Sequence, residues 1–431
     1  MRQFAYQDEG ISFLRTAGRA ILADEPGLGK SRQALLAANE PVLICASATI
    51  LDVWRSEVER WRPGLDVEYL SYGIMSTKRY AVPSRMPHRT LICDEAHNLK
   101  NHKAKRSMNA LLLAKRIPKL FLLTGTPIDN WGHEIYNLAR LLQPNDPRFT
   151  SYWRFIEEWF TSWKPPWGGT QIKGLRSGVS WEDLVKGCDL HERMLRRTRE
   201  GVRLQLPPMQ TLSNLLCPMS REQAAVYNAL KTDYFAMLPE GGSVSAWSQA
   251  GLHTKLAQAA SGLATLDPTS DPRGKGSGKS AQLIELLQEP LATVVFCQFR
   301  NSVAAVHQAA TKLGLRSAWF HGEVPVPERT RAIRQFQDGD IDVLVCTVES
   351  GSEGITLTRA DRTIFYERSW RPSKNEQAKM RVHRIGLDHP VTLQHLLTPA
   401  SIDANMWDLL ERKNDQFIRF LSAHEFAKLL G

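Results

Sequence analysis

Thr90-Leu91-Ile92-Cys93-Asp94-Glu95-Ala96-His97 is the stretch that decides the fold. An apolar run this short, ending abruptly in polar residues, is the pattern of a strand buried on both faces of a parallel sheet. It delivers two adjacent carboxylates to the strand's carboxyl end, where open α/β sheets bind ligands. The same unit recurs outward in both directions. Pro41-Val42-Leu43-Ile44-Cys45 and Leu120-Phe121-Leu122-Leu123 flank it in the first half. Thr293-Val294-Val295-Phe296-Cys297, Asp342-Val343-Leu344-Val345-Cys346 and Arg362-Thr363-Ile364-Phe365-Tyr366 repeat it in the second. Helical stretches separate these runs, so two α/β lobes are expected, each a parallel sheet flanked by helices.

The length of 431 residues suits two domains plus additions, and 42% hydrophobic residues suffice for large cores. No apolar run reaches the 18 residues of a membrane span, and the N-terminus lacks a signal-peptide core, so no membrane partner is expected. Six cysteines without a CxxC pair, four of them in apolar runs, read as buried thiols in a reducing, cytoplasmic setting. A net charge of +10 favours a polyanionic partner, although charge alone specifies no reaction. Between the lobes, roughly 131–278, the composition changes. Trp153, Trp159, Trp163, Trp167 and Trp181 cluster there with apolar residues at helical spacing. The segment ends in 271–278, a glycine-rich hinge pattern. From Ser401, apolar residues at Ile402, Met406, Leu409 and Leu410 mark an amphipathic helix.

Three constellations carry chemistry. Leu22-Ala23 ends a strand and Asp24-Glu25-Pro26-Gly27-Leu28-Gly29-Lys30-Ser31 opens a helix. Gly27 and Gly29 let backbone N–H groups wrap an anion, Lys30 suits the β- and γ-phosphates, and the Ser31 hydroxyl suits Mg²⁺. The general pattern has glycine where this chain has Asp24; an ordinary glycine-rich turn is the alternative. At Asp94-Glu95, Asp94 would hold Mg²⁺ through water and Glu95 would orient and deprotonate the attacking water. Turn residues are the alternative here. In the second half, Gln377, Arg381 and Arg384 stand at i, i+4 and i+7, one face of a helix, where an arginine finger would neutralise charge on a γ-phosphate. A solvated basic face is the competing account.

In this order the residues resemble the Snf2 family of superfamily 2 DNA translocases. Tyr6-Gln7-Asp8-Glu9-Gly10 resembles its Q motif, with Gln7 on the adenine, and aspartate at position 24 is usual in its phosphate loop. Ala46-Ser47-Ala48-Thr49 with Trp54 and Glu57 is similar to motif Ia. Asp94 to His97, a DEAH box, continues as Asn98-Leu99-Lys100-Asn101, and Leu123 to Asn130 resembles motif III. Met194-Leu195-Arg196-Arg197-Thr198 with Leu206-Pro207-Pro208 is similar to a block peculiar to the family. Val295 to Phe299, His321-Gly322, Cys346 to Leu357 and Trp370 to Gly386 resemble motifs IV, IVa, V and VI. Asp129, Thr356, Glu367 and Leu387 depart from the commoner choices, and the last lobe leans toward the annealing-helicase-like and bacterial or phage branch.

The resemblance implies two tandem RecA-like lobes with a helical Snf2-type insertion between motif III and lobe 2. On that frame, 1–220 is the ATP-binding lobe with a helical protrusion at about 141–205, and 221–280 a helical linker. Residues 281–399 form the second lobe and 400–431 a C-terminal helix. It implies ATP and Mg²⁺ as cofactors, with Gly354 also at the nucleotide. It further implies duplex DNA held through its phosphates without sequence specificity, by Thr49, Lys100 and Asn101 in lobe 1 and Thr347, Ser350 and Trp370 in lobe 2. The implied activity is ATP-driven movement along duplex DNA in a bacterial or phage-infected cell. A strand-separating helicase and an ATP-gated clamp without turnover are the alternatives. Arg193, Arg196, Arg197, Arg199 and Arg203 are read as a basic approach to DNA or a solvated face. Trp163 to Trp167 suggests either base stacking or the aromatic core of the protrusion. Gly276-Ser277-Gly278-Lys279-Ser280 mimics a phosphate loop but follows no strand.

Overall fold

The computed structural model describes residues 4–410 except 78–87, 129–130, 165–169, 200, 203–208, 212–213, 234, 238–242, 246–248, 263–277, 353–354, 385–386 and 409, and also describes 419. The chain divides into two compact units, Met1–Leu204 with Arg412–Gly431, and Gln205–Glu411.

In the first unit, β1 (Arg19–Leu22), β2 (Val42–Ala46), β3 (Val67–Ser71), β4 (Thr90–Cys93), β5 (Lys119–Leu123) and β8 (Met194–Leu195) form one sheet in the order β3-β2-β4-β5-β1-β8. Every pairing in it is parallel. Every residue of β2 and β4 is buried. Successive side chains point to opposite faces, and both faces are covered: Leu43 and Cys45 join one core, Val42 and Ile44 the other.

The insertion is not purely helical. Between the helices Tyr152–Trp159 and Trp181–Gly187 lies an antiparallel hairpin, β6 (Phe160–Trp163) with β7 (Gln171–Leu175). Helical spacing failed there because half the hairpin's side chains are exposed and its pairing is bulged at Thr161/Ser162, which blurs period-two alternation. Phe155, Ile156, Phe160, Leu184 and Val185 extend a lobe core into the insertion, with Trp159 and Trp181 packed against it. Trp163 instead lies under Lys173, with the ammonium 5.3 Å from its ring, and residues 165–169, including Trp167, lie outside the described residues.

The second unit contains β9 (Met209–Thr211), β10 (Leu215–Leu216), a hairpin of β11 (Phe235–Met237) and β12 (Ser243–Ser245), then β13 (Thr293–Cys297), β14 (Ser317–Phe320), β15 (Val343–Thr347), β16 (Arg362–Phe365) and β17 (Val391–Leu397). Its main sheet runs β10-β17-β16-β13-β15-β14, with β9 also on β17, again all parallel. The units divide at 204/205 rather than at 220, because β9 and β10 add to β17. Likewise the helices Arg221–Asp233 and Gln249–Ser261 share a core with Ile402 of the second unit. Residues 402–408 are helical, as the apolar spacing predicts, and most of the chain beyond 408 lies outside the described residues. All six cysteines are buried and free. Among the described residues no helix is long and apolar enough to cross a membrane.

Candidate functional site

The loop after β1 turns at Gly27 (φ +91°) and Gly29 (φ +76°), left-handed conformations that cost glycine little. Gly29 is the N-cap of the helix Lys30–Ala37. A Cβ there would meet the Gln7 amide nitrogen at 2.5 Å, so Gln7 lies directly against the loop. Gln7 is buried, its Nε2 donates to the Leu28 carbonyl at 3.2 Å, and its Oε1 accepts from Arg32. The Lys30 Nζ donates to the Asp24 carbonyl at 2.7 Å. Burial lowers the Lys30 pKa, opposed by the charges of Glu95, Asp24 and Asp94. That balance places the ammonium within electrostatic reach of both acids at the end of β4.

Those acids are held in different ways. Asp94 Oδ1 accepts the Glu95 N–H at 2.9 Å and Oδ2 accepts the Trp54 Nε1–H at 2.8 Å, while the Tyr72 hydroxyl donates to the Asp94 carbonyl at 2.6 Å. Withdrawal from solvent, reinforced by the neighbouring Glu95 charge, pushes the Asp94 carboxyl up to about 6 against the pull of Trp54 and Lys30. Glu95 has φ +46°, a left-handed conformation that costs a non-glycine residue about 1–2 kcal/mol. The strain is maintained by its surroundings. Asn98 donates to the Glu95 carbonyl at 3.1 Å, and Oε2 lies 3.3 Å from His97 Nδ1, which is itself 3.5 Å from the buried Thr124 hydroxyl. Glu95 is therefore linked to the loop after β5.

Three of the arginines read as a basic approach to DNA or a solvated face, Arg196, Arg197 and Arg199, turn inward instead. Arg196 donates to the carbonyls of Ala23 at 3.0 Å and Gly125 at 3.3 Å. Arg197 grips the Asp24 carboxylate at 2.6 and 3.0 Å. Arg199 is buried and donates to the Pro26 carbonyl at 2.6 Å. β8 lies beside β1, which brings this block onto the loop's own carbonyls. Arg203 lies outside the described residues.

Of the lobe 1 residues expected at DNA, Lys100 pairs with Glu134 at 3.1 Å, and exposed Asn101 accepts the Lys103 N–H at 3.0 Å. Thr49 lies in the 3-10 turn Ala48–Ile50 after β2. In the second unit, Thr347 caps the turn Val348–Gly351, and its hydroxyl donates to Ser350 Oγ at 3.0 Å. Trp370 packs on the core of Tyr227, Leu252 and Leu256, because the helices Arg221–Asp233 and Gln249–Ser261 fold onto its lobe; it has a core role beside any DNA contact.

The helix Pro372–Val382 carries the buried Gln377 and the half-buried Arg381, but it ends before Arg384, which is not on the helical face expected. The Leu357 N–H donates to the Arg381 carbonyl at 2.9 Å and the Leu387 N–H to the Arg384 carbonyl at 3.1 Å. Both arginines nonetheless converge: Arg381 donates to the Ser352 carbonyl at 2.8 Å and Arg384 to the Thr356 hydroxyl at 2.9 Å. Gly354, between them, lies outside the described residues, as does Asp129 of motif III. Glu367 accepts the N–H groups of Gln298 and Phe299 at 2.8 and 3.1 Å and the Ser302 hydroxyl at 2.6 Å. Lys279 of the false phosphate loop is buried against Asp403 at 2.7 Å, a structural ion pair.

A glycine-turned loop after β1, a lysine opening its helix and paired carboxylates after β4 make up the candidate nucleoside-triphosphate site of the first lobe. The comparisons narrow this. The SNF2-related domain matches residues 64–259 and the helicase conserved C-terminal domain residues 278–386. The chain is 27% identical over 440 residues to the mouse (Mus musculus) DNA annealing helicase and endonuclease ZRANB3, covering 95% of this chain and 40% of that one. It is 25% identical over 435 residues to the Drosophila melanogaster SWI/SNF-related matrix-associated actin-dependent regulator of chromatin subfamily A-like protein 1, covering 95% and 55%. The SWI2/SNF2 ATPase core of Sulfolobus solfataricus, solved in complex with dsDNA, aligns over 100% of this chain and 95% of that one at 22% identity, with a TM-score of 0.44. Over these two domains the chain is similar to Snf2-type, helicase-like ATPases. It spans about two fifths to just over half of the length of these curated relatives.

Proposed function

We propose that this protein hydrolyses ATP to move along double-stranded DNA. The observation that carries the reading is the convergence of Lys30 with Asp94 and Glu95 at the carboxyl ends of β1 and β4. Lys30 binds the β- and γ-phosphates, leaving the Asp24 carbonyl to do so; Glu95 holds the water that attacks the γ-phosphorus and takes its proton, as the bond to the β,γ-bridging oxygen breaks and ADP leaves. Its left-handed backbone and its His97 contact preset that carboxylate, so little reorganisation accompanies the step. Gln7, at Gly29, reads the adenine. Arg381 and Arg384 neutralise charge developing on the γ-phosphate, with Gln377 beside them.

The residues present fit Mg²⁺. The Ser31 hydroxyl and the Asp94 carboxylate are the hard oxygen donors that would hold the ion. Mg²⁺ retains waters and takes only one or two carboxylates beside phosphate. Bound there, the ion would polarise the phosphates.

Duplex DNA is the track, and it lies along Thr49, Lys100, Asn101, Thr347, Ser350 and Trp370. Hydroxyls and single cations of this kind position a phosphate backbone without reading bases. DNA-stimulated ATPase assays test the whole reading. Wild type is expected to turn over faster with duplex, while Lys30→Ala and Glu95→Gln lose at least about 100-fold in kcat, the scale of general-base catalysis. Stimulated turnover persisting in Glu95→Gln sinks the assignment. Triplex displacement without unwinding of a forked duplex distinguishes translocation from strand separation.

A further inference from the structure

The geometry points to Arg197 as a positioning residue of the nucleotide site, holding the phosphate loop in shape through Asp24; this rests on the ATP-hydrolysing function proposed for the site. Asp24 opens the loop where the general pattern has glycine. Its carboxylate is fully buried. Arg197 meets it as a fork, Nε to Oδ1 at 3.0 Å and Nη2 to Oδ2 at 2.6 Å, and Gln33 Nε2 adds a third bond at 3.2 Å. Bidentate, charge-assisted pairs of this kind fix orientation as well as energy. The same guanidinium donates to Gln33 Oε1 at 2.7 Å and to the Tyr6 carbonyl, and lies over the Tyr6 ring at 5.3 Å. A Cβ on Gly10 would come within 2.6 Å of Arg197 Nη2, so the helix Ala5–Ala17 approaches only because residue 10 has no side chain.

Arg197 thus ties three segments together: the helix bearing Gln7, the phosphate loop and β8. The consequence for chemistry runs through one backbone group. The Asp24 carbonyl holds Lys30 Nζ at 2.7 Å, and Lys30 must move from it to the phosphates. Releasing the fork frees Asp24, loosens the starting position of Lys30 and leaves a buried charge without its partner. Arg197 acts on the nucleotide through these groups, so its loss falls first on affinity.

The experiment is a double-mutant cycle of Asp24→Asn, Arg197→Gln and their combination, with Arg197→Lys as a charge-preserving control and Asp24→Gly restoring the general loop pattern. Affinity for mant-ADP, KM and kcat for ATP with saturating duplex, and Tm are measured for each. Each single substitution, Arg197→Lys included, is expected to weaken mant-ADP binding and raise KM about tenfold, as lost orienting partners do, while kcat falls less than about threefold. The double variant should be no worse than the poorer single one. Asp24→Gly should raise KM too. A folded Arg197→Lys or Asp24→Asn with wild-type KM overturns the proposal, as do additive effects, a lowered Tm with unchanged affinity, or a lower KM in Asp24→Gly. Wild type that binds mant-ADP without hydrolysing ATP overturns the ATPase reading alone, and the affinity arm still decides on Arg197. Wild type that binds no nucleotide overturns both.

Discussion

Asp94 keeps a carboxylate where the surroundings favour the neutral acid, and this gives its titration a sign. The folded chain holds the proton up to about pH 6, against an ordinary value of 3.8. Between these values the folded state binds a proton that the unfolded state has released, so stability falls as pH rises through the window and stays reduced above it. Asp94→Asn removes the charge and keeps an oxygen for the Trp54 indole. It is expected to melt at least about 2 °C above wild type at pH 8, with the difference shrinking as pH falls below 6. Calorimetry from pH 5 to 8 checks this, and a lower Tm at pH 8 would contradict it. Hydrolysis should be lost at every pH, so the charge is kept for function at a cost in stability.

At the scale of elements, the tryptophan-rich insertion is organised by glycines. A Cβ at Gly132 would overlap the ring of Trp181, and one at Gly187 the ring of Trp159. Alanine at either position is expected to destabilise the insertion by about 1–3 kcal/mol through overpacking, whereas exposed Trp163→Ala should cost less than about 0.5 kcal/mol. Urea titration followed by tryptophan fluorescence distinguishes these outcomes. In the second lobe, the buried Glu367 anchors the loop after β13. It gathers two backbone N–H groups and one hydroxyl at the start of the helix Arg300–Lys312. Glu367→Asp should leave buried donors unmet at about 1–3 kcal/mol, read as faster hydrogen exchange at Gln298 and Phe299.

For the whole molecule, a net charge of +10 implies attraction to phosphate in bulk. The duplex concentration giving half-maximal ATPase stimulation should rise steeply between 50 and 200 mM salt, by about tenfold or more, with little dependence on base sequence. A salt-independent value, or strong preference for one sequence, would contradict backbone tracking. The C-terminal helix 402–408 contributes Asp403 to the buried Lys279 pair. Asp403→Ala should therefore destabilise the second unit itself, since it strands a buried ammonium.

What the residues alone determined was local and periodic. Short apolar runs specify parallel strands buried on both faces, and a strand's end delivers the groups next in the chain. The phosphate loop, the Asp94-Glu95 pair and two α/β lobes were therefore legible from neighbouring residues. Tertiary structure decided what depends on distant partners. Asp24 and Arg197 are 173 positions apart, and Trp54 and Asp94 are 40 apart, so no local pattern announces either bond. The Arg196-to-Arg199 block looked like a basic surface because charge is visible in a sequence and its direction is not. Only the docking of β8 against β1 turned it inward. In the same way β9 and β10, each two or three residues long, became strands of the second lobe only because β17 offered them an edge. The residues of the candidate site stand together along the chain, but the scaffold that holds them in place is made by contacts between residues far apart in it.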